Sequence, residues 1–291
     1  MLNVKKILVP IQGTPLSITT LTTAYLLAKN RKAHLAVVHV HPDKKDIIPL
    51  TGEGLSGSMI EEVINIAEHE SVKRAKFARQ VFDDFIDNHN IEQTAPSPND
   101  TLSGKTTASF TSLIGREGPL ITYWSRLSDA IVISHPNADE HVSSSEIIHT
   151  LLFESGRPVI IAPKVPPHTV GKHVCIAWNG SAESAAALHA SLPWILNAEK
   201  VGILYTEDYE DQNAKIQDVV NYLKFHSVDA QLCQFASEKN TGANMLEACA
   251  NFDADMLCMG AYSHPRWKQL ILGGVTSFML EHGDLTIFMN R

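Results

Sequence analysis

The chain has 291 residues, of which 44% are hydrophobic and 19% charged, with four cysteines. These are ordinary globular values that exclude a disordered chain, a collagen-like repeat and a disulfide-stapled miniature, and the length suits about two domains. The formal charge of -8 at pH 7, with no basic excess on either side of residue 170, argues against a surface that tracks nucleic-acid phosphates.

The first residues, Met1 to Lys6, run straight into a strand-like segment without the apolar stretch and small-residue cleavage site of a secretory leader. Apolar runs such as Pro158 to Pro163 fall far short of the ~20 residues of a membrane span. A cytoplasmic protein with no membrane partner is expected. Short apolar runs then alternate with longer amphipathic stretches, the pattern of βα units on a parallel sheet. Strands are predicted at 6-11, 34-40, about 109-114, 130-134 and 158-162, with helices at 16-30, 58-88, 117-127 and 143-155. The Pro-rich stretch Pro163-Lys164-Val165-Pro166-Pro167 follows. Beyond it, strands are predicted at 173-178, 201-205, 229-235, 255-259 and 285-289, with helices at 182-197, 211-226, 241-252 and 274-282. The segments Asp43 to Gly57 and Asn90 to Ala108, rich in Gly, Pro, Ser, Thr and Asp, read as surface insertions.

The two series are copies of one unit. Lys6 to Thr14 lies over His173 to Ser181, each an apolar run ending in an amide, a glycine and a hydroxyl residue, and the offset of 167 continues without a gap to Leu35-Ala36-Val37-Val38 over Gly202-Ile203-Leu204-Tyr205. Asp129 to Ile133 matches Asp255 to Met259, and Glu154 to Ile160 matches Glu281 to Ile287. The expected organisation is therefore two α/β domains, 1-164 and 171-291, each a doubly wound parallel sheet whose ligands bind at the carboxyl ends of the strands near the switch point.

The segment from Gly260 to Thr276 follows a predicted strand and leads into a helix. Glycines there let backbone N–H groups approach an anion, and the helix N-terminus adds partial positive charge. A strand, Gly-x-x-(Gly), nine residues and then Gly-(Ser/Thr)-Val-Thr resembles the nucleotide loop of the universal stress protein family. Ile7 to Thr14 resembles that family's first strand and turn, and Ser155-Gly156-Arg157-Pro158-Val159 its last. The resemblance covers nearly the whole chain. It implies a tandem, Rossmann-like pair of domains with the adenine nucleotide alpha hydrolase-like fold, joined as an intramolecular pseudo-dimer through Val159-Ile160-Ile161 and Thr286-Ile287-Phe288. Strand pairing there would also cover two otherwise open edges.

In ATP-binding members an Asp ends the first strand; Gln12 and Asn179 stand there in this chain. Ser263 replaces the second loop glycine, and Gly274 replaces the hydroxyl residue after Gly273. Asn179 keeps a hydrogen-bond acceptor without the charge, and Ser263 tolerates a positive φ less well than glycine. The resemblance assigns Asn179, Gly260, Ser263, Gly273, Gly274, Val275 and Thr276 as nucleotide-binding positions of a reduced site. In the first copy no glycine remains between Gly118 and Gly156; that half is expected to have lost the phosphate loop and to serve structure or partner binding.

Other signals are weaker. Gly52-Glu53-Gly54-Leu55-Ser56-Gly57 spells a dinucleotide fingerprint, but in an insertion after the second strand, where a loop is expected. His39, His41 and His135 could converge above the first sheet as a metal site, although the second copy offers no equivalents; solvated edge histidines are the expected reading. Cys175, Cys233, Cys249 and Cys258 form no Cys-x-x-Cys pair and read as small core residues. His264, Arg266 and Lys268 read as solvated surface, with a basic lid over an anion as the other option. Trp178 is either core or the flank of an adenine-sized pocket. No nucleophile elbow, His-Glu-x-x-His or intact P-loop occurs.

The resemblance thus implies a non-catalytic stress-response or regulatory protein that binds a protein partner, with ATP or a related adenine nucleotide as the one candidate cofactor, held weakly by the second copy. The pseudo-dimer could assemble further into a homo-oligomer. The alternative is an ATP-binding, slowly hydrolysing sensor whose two states bind nucleotide differently. A catalytic role of the alpha-hydrolase kind lacks its phosphate motif.

Overall fold

The computed structural model describes residues 4-43, 57-95, 104-136, 144-207, 209, 215-237, 240-262 and 274-291. The fold alternates strand and helix along the chain. The first series is β1 (Lys6–Pro10), α1 (Leu16–Lys29), β2 (His34–His41), α2 (Gly57–His89), β3 (Glu92–Gln93), β4 (Thr107–Ile114), α3 (Glu117–Arg126), β5 (Ala130–Ile133), α4 (Ser144–Glu154) and β6 (Val159–Ile161). The second is β7 (His173–Ala177), α5 (Ala182–Ile195), β8 (Lys200–Thr206), α6 (Ile216–Phe225), β9 (Gln231–Phe235), α7 (Thr241–Asn251), β10 (Met256–Gly260), α8 (Val275–His282) and β11 (Thr286–Asn290).

Among the described residues, eleven strands share one sheet in the order β3-β4-β2-β1-β5-β6-β11-β10-β7-β8-β9. Every neighbouring pair is parallel except β6 and β11, which run antiparallel with Phe288 opposite Ile160. On each side of that junction the chain order reverses once, between β1 and β5 and between β7 and β10. These are two doubly wound α/β units sharing a sheet, and their switch points are where such folds bind ligands.

Period-two alternation sends successive strand residues to opposite faces. Ile7 and Val9 join one core with α1, α2, α5 and α6, while Leu8 joins a second core with α3, α4, α7 and α8. Helices therefore cover both faces, which is why the strands read as nearly unbroken apolar runs. Each core contains residues from both sides of the β6–β11 junction. Two tryptophan contacts reinforce it: Trp194 Nε1 donates to the Leu27 carbonyl at 3.1 Å, and its ring lies 5.5 Å from that of Phe288.

The register corrects the gapless repeat. Lys6 sits beside His34, but His173 sits beside Lys200, so the second strand of the second unit comes one residue earlier. Leu35 is thus equivalent to Val201 rather than Gly202, and both face the same core. A one-residue slip would have turned every side chain to the wrong face. A one-residue shift in the opposite direction occurs at the junction, where 159-161 pairs with 287-289 instead of 286-288. The expected insertion 90-108 also proves partly structural, because Glu92 and Gln93 pair with Thr107 and Ala108 and extend the sheet by an edge strand. In the expected helix 211-226, Lys215 is an extended N-cap and the helix begins at Ile216; residues 211-214 lie outside those described.

Cys175, Cys249 and Cys258 are buried, and Cys233 is half-buried. A hydrogen bond with Cys249 and burial raise the Cys175 thiol, and burial pushes Cys258 up to about 12 and also raises Cys233. Protonated, enclosed thiols behave as small apolar residues. Among the described residues no helix is long and apolar enough to cross a membrane.

Candidate functional site

At the second switch point, β7 ends at Ala177 and the chain turns through Trp178, Asn179, Gly180 and Ser181 into α5. The Asn179 Oδ1 accepts from the Ser181 N–H at 3.1 Å, and the Ser181 Oγ accepts from the Ser184 N–H at 3.1 Å as a helix cap. Gly180 has φ +76°, and a Cβ there would stand 3.0 Å from Cε2 of Tyr209. The Tyr209 hydroxyl accepts from Trp178 Nε1 at 2.9 Å. The ring of Tyr209 thus lies over this turn, and Trp178 is partly buried against the first core while tied to it. The tyrosine carries no motif in the sequence that would have marked it.

Gly260 ends the neighbouring strand β10. A Cβ on it would come within 2.6 Å of both the Glu183 carbonyl carbon and the Ser184 nitrogen. Glycine is therefore required there for close packing of the strand against the start of α5, independently of any ligand. Ala261 donates to the Asn290 carbonyl at 3.0 Å. Tyr262, with φ +55°, donates its N–H to Thr276 Oγ1 at 3.5 Å, and its ring lies edge-on to His149 at 5.5 Å and tilted against Phe153 of α4 at 5.6 Å. The exit of β10 is consequently anchored on a helix of the other unit.

The helix α8 starts after Gly274, whose φ of +113° is glycine territory and whose carbonyl accepts from the Phe278 N–H at 3.2 Å. Its N-cap residue, Gly274, has no side chain with which to cap the helix. Val275 packs on the second core, and Thr276 is nearly buried. Of the residues assigned from sequence, Asn179 and Gly260 thus sit at the ends of adjacent strands, and Gly274, Val275 and Thr276 open a helix linked to Tyr262. Ser263 and Gly273, like His264, Arg266 and Lys268, lie outside the described residues.

The first switch point is built differently. The helix α2 crosses the carboxyl end of β1 so closely that a Cβ on Gly13, φ +69°, would clash with the Arg74 carbonyl. Gln12 Nε2 donates to Glu117 Oε1 at 3.5 Å. His39 is buried, with Nδ1 2.8 Å from the Ile11 carbonyl oxygen and its ring 5.0 Å from that of His41. His135 is buried as well, with Nδ1 2.8 Å from the Pro136 carbonyl oxygen. These two are interior residues, not solvated edge histidines, because backbone carbonyls at strand ends take up a ring nitrogen and let the rest of the ring pack. No group of three His, Cys, Asp or Glu able to hold a metal comes together among the described residues. Of the Gly52 to Gly57 fingerprint only Gly57, the first residue of α2, is described. An open cleft of about 620 Å³ lies beside α2 at the carboxyl ends of β2 and β4, lined by His41, Val72 and Ile114 among others.

Burial raises the Glu117 carboxyl above the usual glutamate range, against the opposing pulls of the Gln12 hydrogen bond and Arg74. Folding therefore favours its protonated form, a contribution complete below about pH 4.5 and lost as pH rises through the folded-state value. Glu117→Gln is expected to raise the melting temperature at pH 7.5 and to change it little at pH 4, read from thermal melts at both. A lower melting temperature at pH 7.5 would show that the Arg74 attraction outweighs burial. His39 and His135 work in the other direction, since burial lowers both. Their contribution is present above about pH 6.5 and is lost as pH falls toward their folded-state values.

No protein-family model and no curated protein sequence matches the chain. Solved structures do. A universal stress protein from Archaeoglobus fulgidus DSM 4304 superposes with a TM-score of 0.66 at 15% identity, covering 98% of each chain. A functionally unknown protein from Pseudomonas aeruginosa PAO1 gives 0.56 at 12%, covering 99% of this chain and 93% of that one. The agreement runs through both α/β units and the junction between them. The chain therefore has the fold of the universal stress proteins, with two doubly wound units sharing one sheet.

Proposed function

We propose that the chain is a cytoplasmic, non-catalytic universal stress protein with units 1-164 and 171-291, acting in a stress or regulatory response by binding protein partners. The second unit keeps a weak site for an adenine nucleotide or similar small ligand. The observation that carries this reading is the contrast between the two switch points. At the first, α2 lies directly on Gly13 and Glu117 reaches Gln12, which leaves a scaffold. At the second, a helix N-terminus opens at Gly274, an N-cap residue with no side chain of its own to cap it, and a helix N-terminus favours an anion. Tyr209 over Gly180 and the internal bond of Asn179 compete with a ligand there, so binding is weak. By resemblance the contacts come from Asn179, Gly260, Ser263, Gly273, Gly274, Val275 and Thr276.

Mass spectrometry of ligand released from freshly purified protein, then calorimetric titration with Mg-ATP, tests this. We expect no retained nucleotide and a dissociation constant weaker than about 100 µM, weakened further in Gly273→Asp by charge repulsion. Retained ATP, or low-micromolar binding with slow hydrolysis, would favour the sensor instead. Substantial turnover of a metabolite, abolished by Asn179→Ala, would overturn the non-catalytic reading.

A further inference from the structure

The helix α2 has 33 residues, about 50 Å at the usual rise, and only its second half is held by the core. Ala78, Val81, Phe82, Phe85 and Ile86 are buried, whereas no residue from 58 to 77 is. Some five turns of helix whose inner face, Ile60, Ile64, Ala67, Ser71 and Ala75, is only half-buried gain little from packing, from which helices draw most of their stability. Several of the exposed positions fall on one line along the helix. Val63, Ile66, Glu70, Lys73, Phe77 and Gln80 recur at alternating intervals of three and four residues, and all six are exposed. Ile66 is 63% exposed and Phe77 38%. That spacing lines up one side of the helix as in a two-helix pair, with apolar Val63, Ile66 and Phe77 flanking the charged Glu70 and Lys73 at its centre.

The charges say which helix fits. Between 58 and 72 the acidic residues are Glu61, Glu62, Glu68 and Glu70; between 73 and 80 the basic ones are Lys73, Arg74, Lys76 and Arg79, and neither stretch carries a Lys, Arg, Asp or Glu of the opposite sign. We propose that α2 is a homodimer interface in which two copies pair antiparallel about a two-fold axis between Ser71 and Val72. This register sets Glu70 against the partner's Lys73, Ile66 against the partner's Phe77, and Val63 against the partner's Gln80. A parallel, in-register pair would instead place Glu70 beside the partner's Glu70 and Lys73 beside the partner's Lys73. Within one chain Lys73 and Arg74 already lie 3.9 and 3.8 Å from Glu70, but exposed pairs of this kind contribute little and leave the carboxylate open to a second cation.

Sedimentation equilibrium of the full chain at about 50 µM tests the proposal. Wild type is expected at twice the 32.0 kDa protomer mass. Glu70→Lys and Lys73→Glu each place like charges in both central contacts, and each should raise the dimer dissociation constant at least about tenfold. Mixing the two variants restores opposite charges at both contacts and should restore the dimer, with circular dichroism reporting an unchanged fold in each. A monomeric wild type, as would follow if residues of the same chain cover this face, overturns the proposal. So does a dimer indifferent to the single variants, or a mixture that remains monomeric.

Discussion

Phe288→Ala is expected to lower the unfolding free energy by about 3–5 kcal/mol, the range for removing a buried aromatic side chain. Phe288 is fully buried and stands opposite Ile160 in the antiparallel pair on which the two units meet. Its ring also supports Trp194, whose indole donates across the junction to the Leu27 carbonyl. The substitution therefore empties a cavity in the core that spans both units and loosens a hydrogen-bonded bridge between α5 and α1. Urea unfolding monitored by tryptophan fluorescence is the measurement. Phe288→Leu, which preserves most of the volume, should cost less than about 1.5 kcal/mol. A loss under 1 kcal/mol for the alanine variant would mean that the junction contributes little to stability.

Gly13→Ala should cost about 3 kcal/mol, from two separable causes. With φ at +69° an L-residue pays roughly 1–2 kcal/mol for the left-handed conformation, and its Cβ would collide with the Arg74 carbonyl, an overpacking cost of about 1–3 kcal/mol. The obstacle is backbone rather than a flexible side-chain tip, so relief requires α2 to lift from the end of β1. Gly104→Ala is the comparison: its φ is +72°, and the nearest atom to a new Cβ is Lys32 Nζ at 3.8 Å. It should show only the conformational part. Equal losses in the two variants, measured by urea unfolding, would show that α2 does not press on the turn.

The pattern of elements was legible in the sequence because strands buried on both faces must be short apolar runs and the helices between them must be amphipathic. The mixed segment 44-56 hid nothing of the α2 periodicity, and the helix predicted at 58-88 forms at Gly57–His89. The two-residue strand β3 was invisible, since Glu92 and Gln93 carry no apolar alternation and are held only by backbone bonds to β4. The one-residue offset of β8 was equally hidden: the gapless match set Leu35 over Gly202 and Ala36 over Ile203, and only hydrogen-bond register set Leu35 over Val201 and Ala36 over Gly202.

The candidate site divides in the same way. Gly260 and Gly274 announced themselves as glycines, but the sequence did not say that the first is demanded by the backbone of Glu183 and Ser184. His39 and His135 gave no sign of being interior, because burial of an imidazole depends on a carbonyl supplied by the neighbouring turn. Tyr209 over Gly180 and Arg74 over Gly13 join residues 29 and 61 positions apart, and nothing local requires either contact.

By itself the sequence determined the class of fold, the order of its elements and the repetition of one α/β unit, since these follow from hydrophobic period and turn chemistry along the chain. Only the tertiary structure decided the strand register, the antiparallel β6–β11 seam, which switch point is covered by a helix and which by a single tyrosine, and which half of α2 finds a core. Those outcomes depend on close approach between segments distant in sequence, where a missing Cβ or a shared hydrogen bond selects among arrangements that the local pattern leaves equal.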